Sequence, residues 1–218
     1  MKNDFKRYHS LIFDCDGVIL NSNQIKSNAF YDVAKQFGDI PARKLLKFHI
    51  ENGGISRYKK FEYLISNLPN HNRSKKTIDD LCNEFSLRVV ESLIEAEINE
   101  NLLEFVESNK EKNLLIVSGG DQNELRSVFK KRKLHNLFKG GIYGSPENKI
   151  DIFKKLKKNK IITNPAIYFG DSKYDYYSSK ECNLNFCFVS HWTEVNDWRD
   201  FCKSESINFI NNFPSTKN

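Results

Sequence analysis

Four places in this 218-residue chain carry residues whose types could do chemistry together. The run Leu11-Ile12-Phe13 ends on two carboxylates one residue apart, Asp14 and Asp16, followed at once by Gly17 and Val18-Ile19. A second apolar run, Leu114 to Val117, meets the hydroxyl of Ser118 and two glycines, Gly119 and Gly120. Lys149 follows Ser145-Pro146, and a third apolar run, Ala166 to Phe169, stops at Gly170-Asp171 with Asp175 four residues on. The kit therefore holds a candidate carboxylate nucleophile, a second carboxylate, a hydroxyl, a cation and further carboxylates able to hold a hard metal ion. Taken singly, an aspartate at a strand end is a turn former, Ser118 a loop serine and Lys149 a surface lysine. Their joint placement at strand ends is what points to a site.

The elements that must position these residues follow from periodicity. Short β-branched and aromatic runs bounded by Gly and acids predict buried parallel strands at 11–13, 114–117, 142–143, 166–169 and 186–189, with the second ending at Ser118. Helical spacing predicts helices between them, near Glu124 to Lys133, Lys149 to Lys158 and Tyr174 to Cys182. Strand–helix alternation implies an α/β fold, a Rossmann-like parallel sheet with helices on both faces. Parallel strands bring their C-terminal ends to one edge, so residues more than 150 positions apart in sequence should converge there. Between Asn21 and Glu97 the pattern is helical only. Gly38 and Pro69 read as stops, Ser56 as an N-cap and Thr77-Ile78-Asp79-Asp80 as a capping box, so the sequence predicts an all-helical insert after the first strand. The expected domains are a core from 1–20 and 99–218 and an insert from 21–98. The tail beyond Val189 suggests a closing helix and a short strand.

Composition sets bounds. A 39% hydrophobic content with 17 Phe and 9 Tyr supports a packed globule, and a net charge of +6 spread over 34 basic and 28 acidic residues fits an anionic small molecule as well as nucleic acid and alone decides neither. No apolar run approaches a membrane span, and the N-terminal stretch lacks a signal-peptide core. Five cysteines without CxxC spacing read as reduced thiols of a cytoplasmic protein, with Cys15 a small residue packed behind the first loop.

With these motifs in hand, the chain resembles the phosphohydrolases of the haloacid dehalogenase superfamily, in the subgroup with a helical cap inserted after the first motif. DxDGV at Asp14 to Val18, Ser118 ending a strand, Lys149, and GDxxxD at Gly170 to Asp175 appear in the family's order. The third motif, SPENK, departs from the KPxP form common among capped relatives, which leaves Lys139 as a fallback for the lysine. The resemblance implies that Asp14 attacks phosphorus to form an aspartyl-phosphate. It implies that Asp16 serves as acid and then base, with a raised pKa in its protonated phase. By the same resemblance, Ser118 and the Gly119 amide, helped by the following helix N-terminus, are expected to bind phosphate oxygens, and Lys149 to offset negative charge. The resemblance further implies Mg²⁺ held by Asp14, the carbonyl of Asp16 and Asp171, with Asp175 holding a metal-bound water or orienting Lys149.

The implied activity is Mg²⁺-dependent hydrolysis of a small phosphorylated metabolite, a sugar phosphate or a phosphoglycolate-like ester. Because carbon-centred dehalogenation needs no acid for an alkoxide, Asp16 favours phosphoryl transfer. The alternatives are a phosphomutase of the β-phosphoglucomutase type and a catalytically silent anion-binding protein; a receiver domain has no use for the insert. Substrate choice is expected in the insert. Residues 43–76 carry nine Lys/Arg against Glu51 and Glu62. Arg57 or Lys60, near the break at Asn52-Gly53-Gly54, is expected to contact a second anionic group or sugar hydroxyls, and His49 is expected to be structural. A monomer or weak dimer, with no nucleic-acid or membrane partner, completes the expectation.

Overall fold

The computed structural model describes residues 5–69 and 76–214; Arg73 and Lys75 of the basic stretch lie outside them. Six parallel strands form one sheet: β1 (Ser10–Phe13), β2 (Asn113–Asp121), β3 (Gly141–Ser145), β4 (Ala166–Gly170), β5 (Asn185–Val189) and β6 (Asn208–Ile210). Their order is β3-β2-β1-β4-β5-β6, which puts β1 between β2 and β4. Phe13 is level with Ile116 on one side and Phe169 on the other, so the residues after all three strands emerge side by side.

Every residue of β1 and β4 is buried, as a strand covered on both faces requires. Alternate residues point to opposite faces. Leu11 and Phe13 join one core with Leu114, Ile116, Phe105 and Phe129, whereas Ile12 joins another with Leu115, Val117, Ile152, Phe153 and Leu156. The first core is roofed by α5 (Glu100–Glu107) and α6 (Gln122–Lys131), the second by α7 (Lys149–Lys158); α8 (Lys173–Glu181) lies against α7, β4 and β5. Phe13 and Phe169 stack at 5.2 Å, directly beneath the strand ends that carry the carboxylates. The tail forms α9 (Trp198–Ser204) before β6.

Between β1 and β2 lie α1 (Asn23–Ala34), α2 (Asp39–Glu51), α3 (Arg57–Ser66) and α4 (Ile78–Glu95), with no strand between 21 and 97 among the described residues. Ser56 caps α3, and Thr77 with Asp80 forms the capping box that opens α4. Phe30, Phe61 and Phe85 come from three of these helices, with ring centroids 4.3–6.1 Å apart. Each buried Phe side chain contributes roughly 1.5–3 kcal/mol.

One strand runs further than the sequence suggests. Ser118-Gly119-Gly120 reads as a stop, yet β2 continues to Asp121, which pairs with Ser145 after a register shift beyond Val117. A β-bulge carries the backbone past the glycines and re-aims it.

Candidate active site

Asp14 follows β1 directly and is tied into the sheet by its amide, which donates to the Phe169 carbonyl at 2.8 Å. Its Oδ1 accepts the Cys15 amide at 2.7 Å, and its Oδ2 accepts from Lys149 Nζ at 2.9 Å. Lys149 opens α7 after its N-cap Asn148, and its side chain is 1% exposed. It bridges Asp14 and Asp175. Lys139, the fallback lysine, is exposed instead.

Asp175 is fully buried and has no spare oxygen. Oδ1 accepts from Lys149 and from the Tyr168 hydroxyl at 2.9 Å; Oδ2 accepts from the Ser172 amide at 3.1 Å and the Ser172 hydroxyl at 2.7 Å. The last two are the capping box of α8. Gly170 permits this fit, because a Cβ there would lie 2.5 Å from Asp175 Cβ. Of the two roles expected for Asp175, these bonds match the orienting of Lys149.

Asp171 completes the group. Its Oδ2 accepts from Asn23 Nδ2 at 2.9 Å, and its carbonyl accepts from Thr193 Oγ1 at 2.6 Å. Gly17, at φ +73°, passes so close that a Cβ would lie 2.1 Å from Asp171 Oδ2. Carboxylate oxygens of Asp14, Asp171 and Asp175 all lie within 4.8 Å of one another. Burial, reinforced by the neighbouring Asp175 and Asp16 and opposed by Lys149, pushes the Asp14 carboxyl up to about 7. Burial and the charges of Asp175 and Asp14 push Asp171 well above the ordinary range. Burial also works against the Lys149 charge, but the two carboxylates it touches more than offset this and raise its pKa. Three clustered carboxylates thus face one buried ammonium, an excess of negative charge that a hard divalent cation would relieve. Asp14 and Asp171 have the chemistry to hold it.

Residues 11–189 match the family described as haloacid dehalogenase-like hydrolase. The chain belongs to that family. No curated protein matches it in sequence. Among solved structures, CbbY from Rhodobacter sphaeroides in complex with phosphate superposes with a TM-score of 0.71 at 14% identity, covering 94% of this chain and 95% of the other. A phosphoglycolate phosphatase, assigned as such by prediction, from Haemophilus somnus gives 0.72 at 15% identity over 96% of both chains. A candidate β-phosphoglucomutase from Thermotoga maritima gives 0.62 at 18% identity, covering 93% and 94%. At these identities the likeness is one of fold.

Within this haloacid dehalogenase-like framework, Asp16 departs from expectation. Lys26 Nζ lies 2.5 Å from Asp16 Oδ2, and the Ser22 hydroxyl donates to Oδ1 at 2.6 Å. Burial favours the neutral acid, but Lys26 and Ser22 outweigh it, so the Asp16 pKa is lowered and not raised. Sequence reasoning missed Lys26 and Asn23. Both contacts depend on how α1 packs over the loop after β1, which helical spacing alone does not tell.

Ser118 is buried and its hydroxyl accepts the Gly120 amide at 3.1 Å. Gly119 is pressed against the insert, for a Cβ there would lie 2.2 Å from the Gly54 carbonyl oxygen. The N-terminus of α6 is less open to a phosphate than the sequence implies. Asp121 caps it, its Oδ1 accepting the Asn123 and Glu124 amides, both at 3.0 Å.

The insert reaches the site through Gly53-Gly54. Gly54, at φ +82°, has Ser172 Oγ, Tyr174 and Lys149 Nζ within 3.4 Å of where a Cβ would be. Beneath this loop is a cavity of about 60 Å³, lined by Asp14, Asp16 and Asp171 on one side and by His49, Arg57 and Lys60 on another. Arg57 lines it but is not free. Its guanidinium makes a bidentate pair with Glu124 at 2.5 and 2.9 Å and donates to Ser86 at 2.6 Å. Lys60 is 3% exposed and has Nζ 2.6 Å from His49 Nδ1.

Proposed function

We propose that this hydrolase is a Mg²⁺-dependent phosphatase acting on a small phosphorylated metabolite through an aspartyl-phosphate on Asp14. The observation that carries the reading is Lys149, buried and bridging Asp14 and Asp175, with Asp171 in the same group of carboxylates. Residues 1–20 and 99–218 are the catalytic core in this reading, and 21–98 the cap.

Asp14 attacks the phosphorus, and the P–O bond to the leaving group breaks as the leaving oxygen takes a proton from Asp16. Asp16 then removes a proton from water, which attacks the acyl phosphate and frees inorganic phosphate and Asp14. The Lys26 contact favours the base form of Asp16, which suits this second half. Lys149 remains against Asp14 throughout and neutralises charge, oriented by Asp175. Ser118 and the Gly119 amide are assigned to phosphate oxygens. Mg²⁺, held by Asp14, Asp171 and the Asp16 carbonyl, would screen the repulsion between carboxylate and phosphate dianion. The insert covers the Asp14 end of the cavity, so substrate entry is assigned to the cap parting from the core.

Phosphate release from a metabolite panel with and without Mg²⁺ tests the reading. Wild-type protein should release phosphate only with the metal, and Asp14→Asn should abolish turnover because an amide is no nucleophile. Activity surviving Asp14→Asn sinks the mechanism. The structures of CbbY with phosphate and with a xylulose bisphosphate support a sugar phosphate as the substrate class. A phosphomutase shares the same four motifs; it needs a bisphosphate activator and gives little net phosphate, which the same assay detects.

A further inference from the structure

The phosphatase reading leaves His49 without a role, yet its surroundings are unusual. The imidazole comes from the last turn of α2, is 7% exposed, and packs 4.5 Å from the Phe30 ring. Lys60 Nζ takes up Nδ1. Below about pH 7, where Lys60 is an ammonium and can only donate, Nδ1 accepts and the ring proton resides on Nε2. Nε2 is buried and has no hydrogen-bond partner among the described residues. Burial, with Lys60 and Lys26 beside it, keeps the ring neutral and so preserves this tautomer. A buried donor without a partner is rare in a folded protein, and His49 lines the cavity over Asp14.

The charges of that cavity indicate what the donor meets. Lys26 is paired with Asp16, and Arg57 with Glu124. Apart from Asp14 and Asp171 at the catalytic end, Lys60 and Glu194 remain, and both line the cavity with no ion pair between them among the described residues. The Glu194 carboxylate is held by Ser27, 3.3 Å from each of its oxygens. One cation and one anion cancel, so the leaving-group end of the cavity has no excess positive charge for a second anionic group. It offers donors and an acceptor, the complement of hydroxyls.

Resting on the phosphatase reading, we infer that His49 is a substrate-binding residue whose Nε2–H donates to a hydroxyl of a sugar or polyol monophosphate, with Lys60 fixing the ring and Glu194 accepting a hydroxyl proton. Phosphoglycolate, whose leaving group bears a carboxylate, is the class this cavity disfavours.

The test compares hexose, pentose and glycerol monophosphates, phosphoglycolate and a generic aryl phosphate in the Mg²⁺-loaded protein. A polyol phosphate should be preferred over phosphoglycolate. His49→Leu should raise its KM roughly tenfold, the value of one hydrogen bond, while changing the aryl phosphate little. His49→Gln, which keeps an N–H near the Nε2 position, should recover most of the loss. Should His49→Leu not fold, His49→Asn, with a donor only near Nδ1, takes its place. A preference for phosphoglycolate, or equal losses on both substrates, overturns the inference and leaves the phosphatase reading standing. No phosphate from any of these esters refutes that reading instead. Calorimetric binding of the polyol phosphates to wild-type and His49→Leu protein then decides the role of His49, equal affinities refuting it.

Discussion

Arg57 Nη2 lies 2.5 Å from Glu124 Oε1, and the two side chains, 3% and 4% exposed, join α3 of the insert to α6 beside the sheet. Nη1 reaches Oε2 at 2.9 Å, so the pair is bidentate, and the guanidinium rests 4.5 Å from the centre of the Phe85 ring. The residue that the sequence nominates for an anionic substrate is therefore committed to a contact that fastens insert to core. Fixing that closed arrangement is a different task from recognising a ligand.

The distinction makes a prediction about both residues. Glu124→Ala strands a buried guanidinium, and breaking such a pair costs about 3–5 kcal/mol where both partners stay buried. Here the insert can part from the core and let water reach Arg57, so the loss in a denaturant melt should fall nearer 2 kcal/mol. Arg57→Met/Glu124→Leu, which removes both charges, should restore most of it. In kinetics, Arg57→Ala should lower kcat/KM for every phosphate ester by a similar factor, because closure serves them all. A loss confined to one substrate would instead place Arg57 against that substrate.

The carboxylates make the metal visible in stability. With Asp14 and Asp171 both pushed up by burial and by their neighbours, adding Mg²⁺ at neutral pH relieves repulsion that folding alone leaves in place. Millimolar Mg²⁺ at a hundred times its Kd should stabilise the protein by about 2.7 kcal/mol, and chelation should reverse this. Asp171→Asn should remove the shift. Gly17→Ala should weaken it too, since its Cβ would displace the Asp171 carboxylate. Differential scanning calorimetry at matched ionic strength checks all three; an unchanged shift in Asp171→Asn would remove that residue from the metal site.

How far the sequence could be read depended on whether a contact is local or set by strand order. Asp14, Lys149 and Asp171 were legible because parallel strands with buried apolar runs place their ends at one edge, and Phe13 lies level with Phe169 whatever the loops do. The capping box at Thr77 is likewise a short-range pattern. Lys26 on Asp16 and Glu124 on Arg57 are not of that kind. Each joins two elements whose approach is fixed by the packing of insert on core, and helical periodicity tells which face is buried without telling what covers it. The continuation of β2 through Ser118-Gly119-Gly120 was hidden for another reason: glycines read as a stop unless the partner strand is known to run alongside.

Asp175 separates two roles that its position in the GDxxxD motif leaves open. All of its acceptor capacity is taken by Lys149, Tyr168 and Ser172. Asp175→Asn replaces one carboxylate oxygen with an NH₂ that cannot accept, so an ammonium or a Ser172 donor loses its partner. The expected result is a fall in kcat of roughly a hundredfold, as for loss of an electrostatic stabiliser, with Mg²⁺ affinity by calorimetry nearly unchanged. A large loss of Mg²⁺ affinity would make Asp175 a metal ligand. Tyr168→Phe, which removes a hydroxyl shared between the same carboxylate and the Val117 carbonyl, should cost about 1.5–3 kcal/mol.

Lys60 gives the protein a characteristic pH dependence. Burial, with Lys26 nearby, pushes its pKa down to about 7, whereas in the unfolded chain a lysine titrates near 10.4. Between those values the unfolded state binds the extra proton, so stability rises with pH across that window; below about 7 both states are charged and the full penalty of burying the ammonium is present. Lys60→Met removes the penalty while keeping most of the side-chain volume. The variant should therefore be more stable than wild type at pH 6, by on the order of 3 kcal/mol, with the gap closing as pH rises toward 10. Urea melts of both proteins at four or five pH values measure the difference. Parallel stability curves would show that the Lys60 ammonium is as comfortable beside His49 as in water, and that its partner supplies more than the single contact at Nδ1.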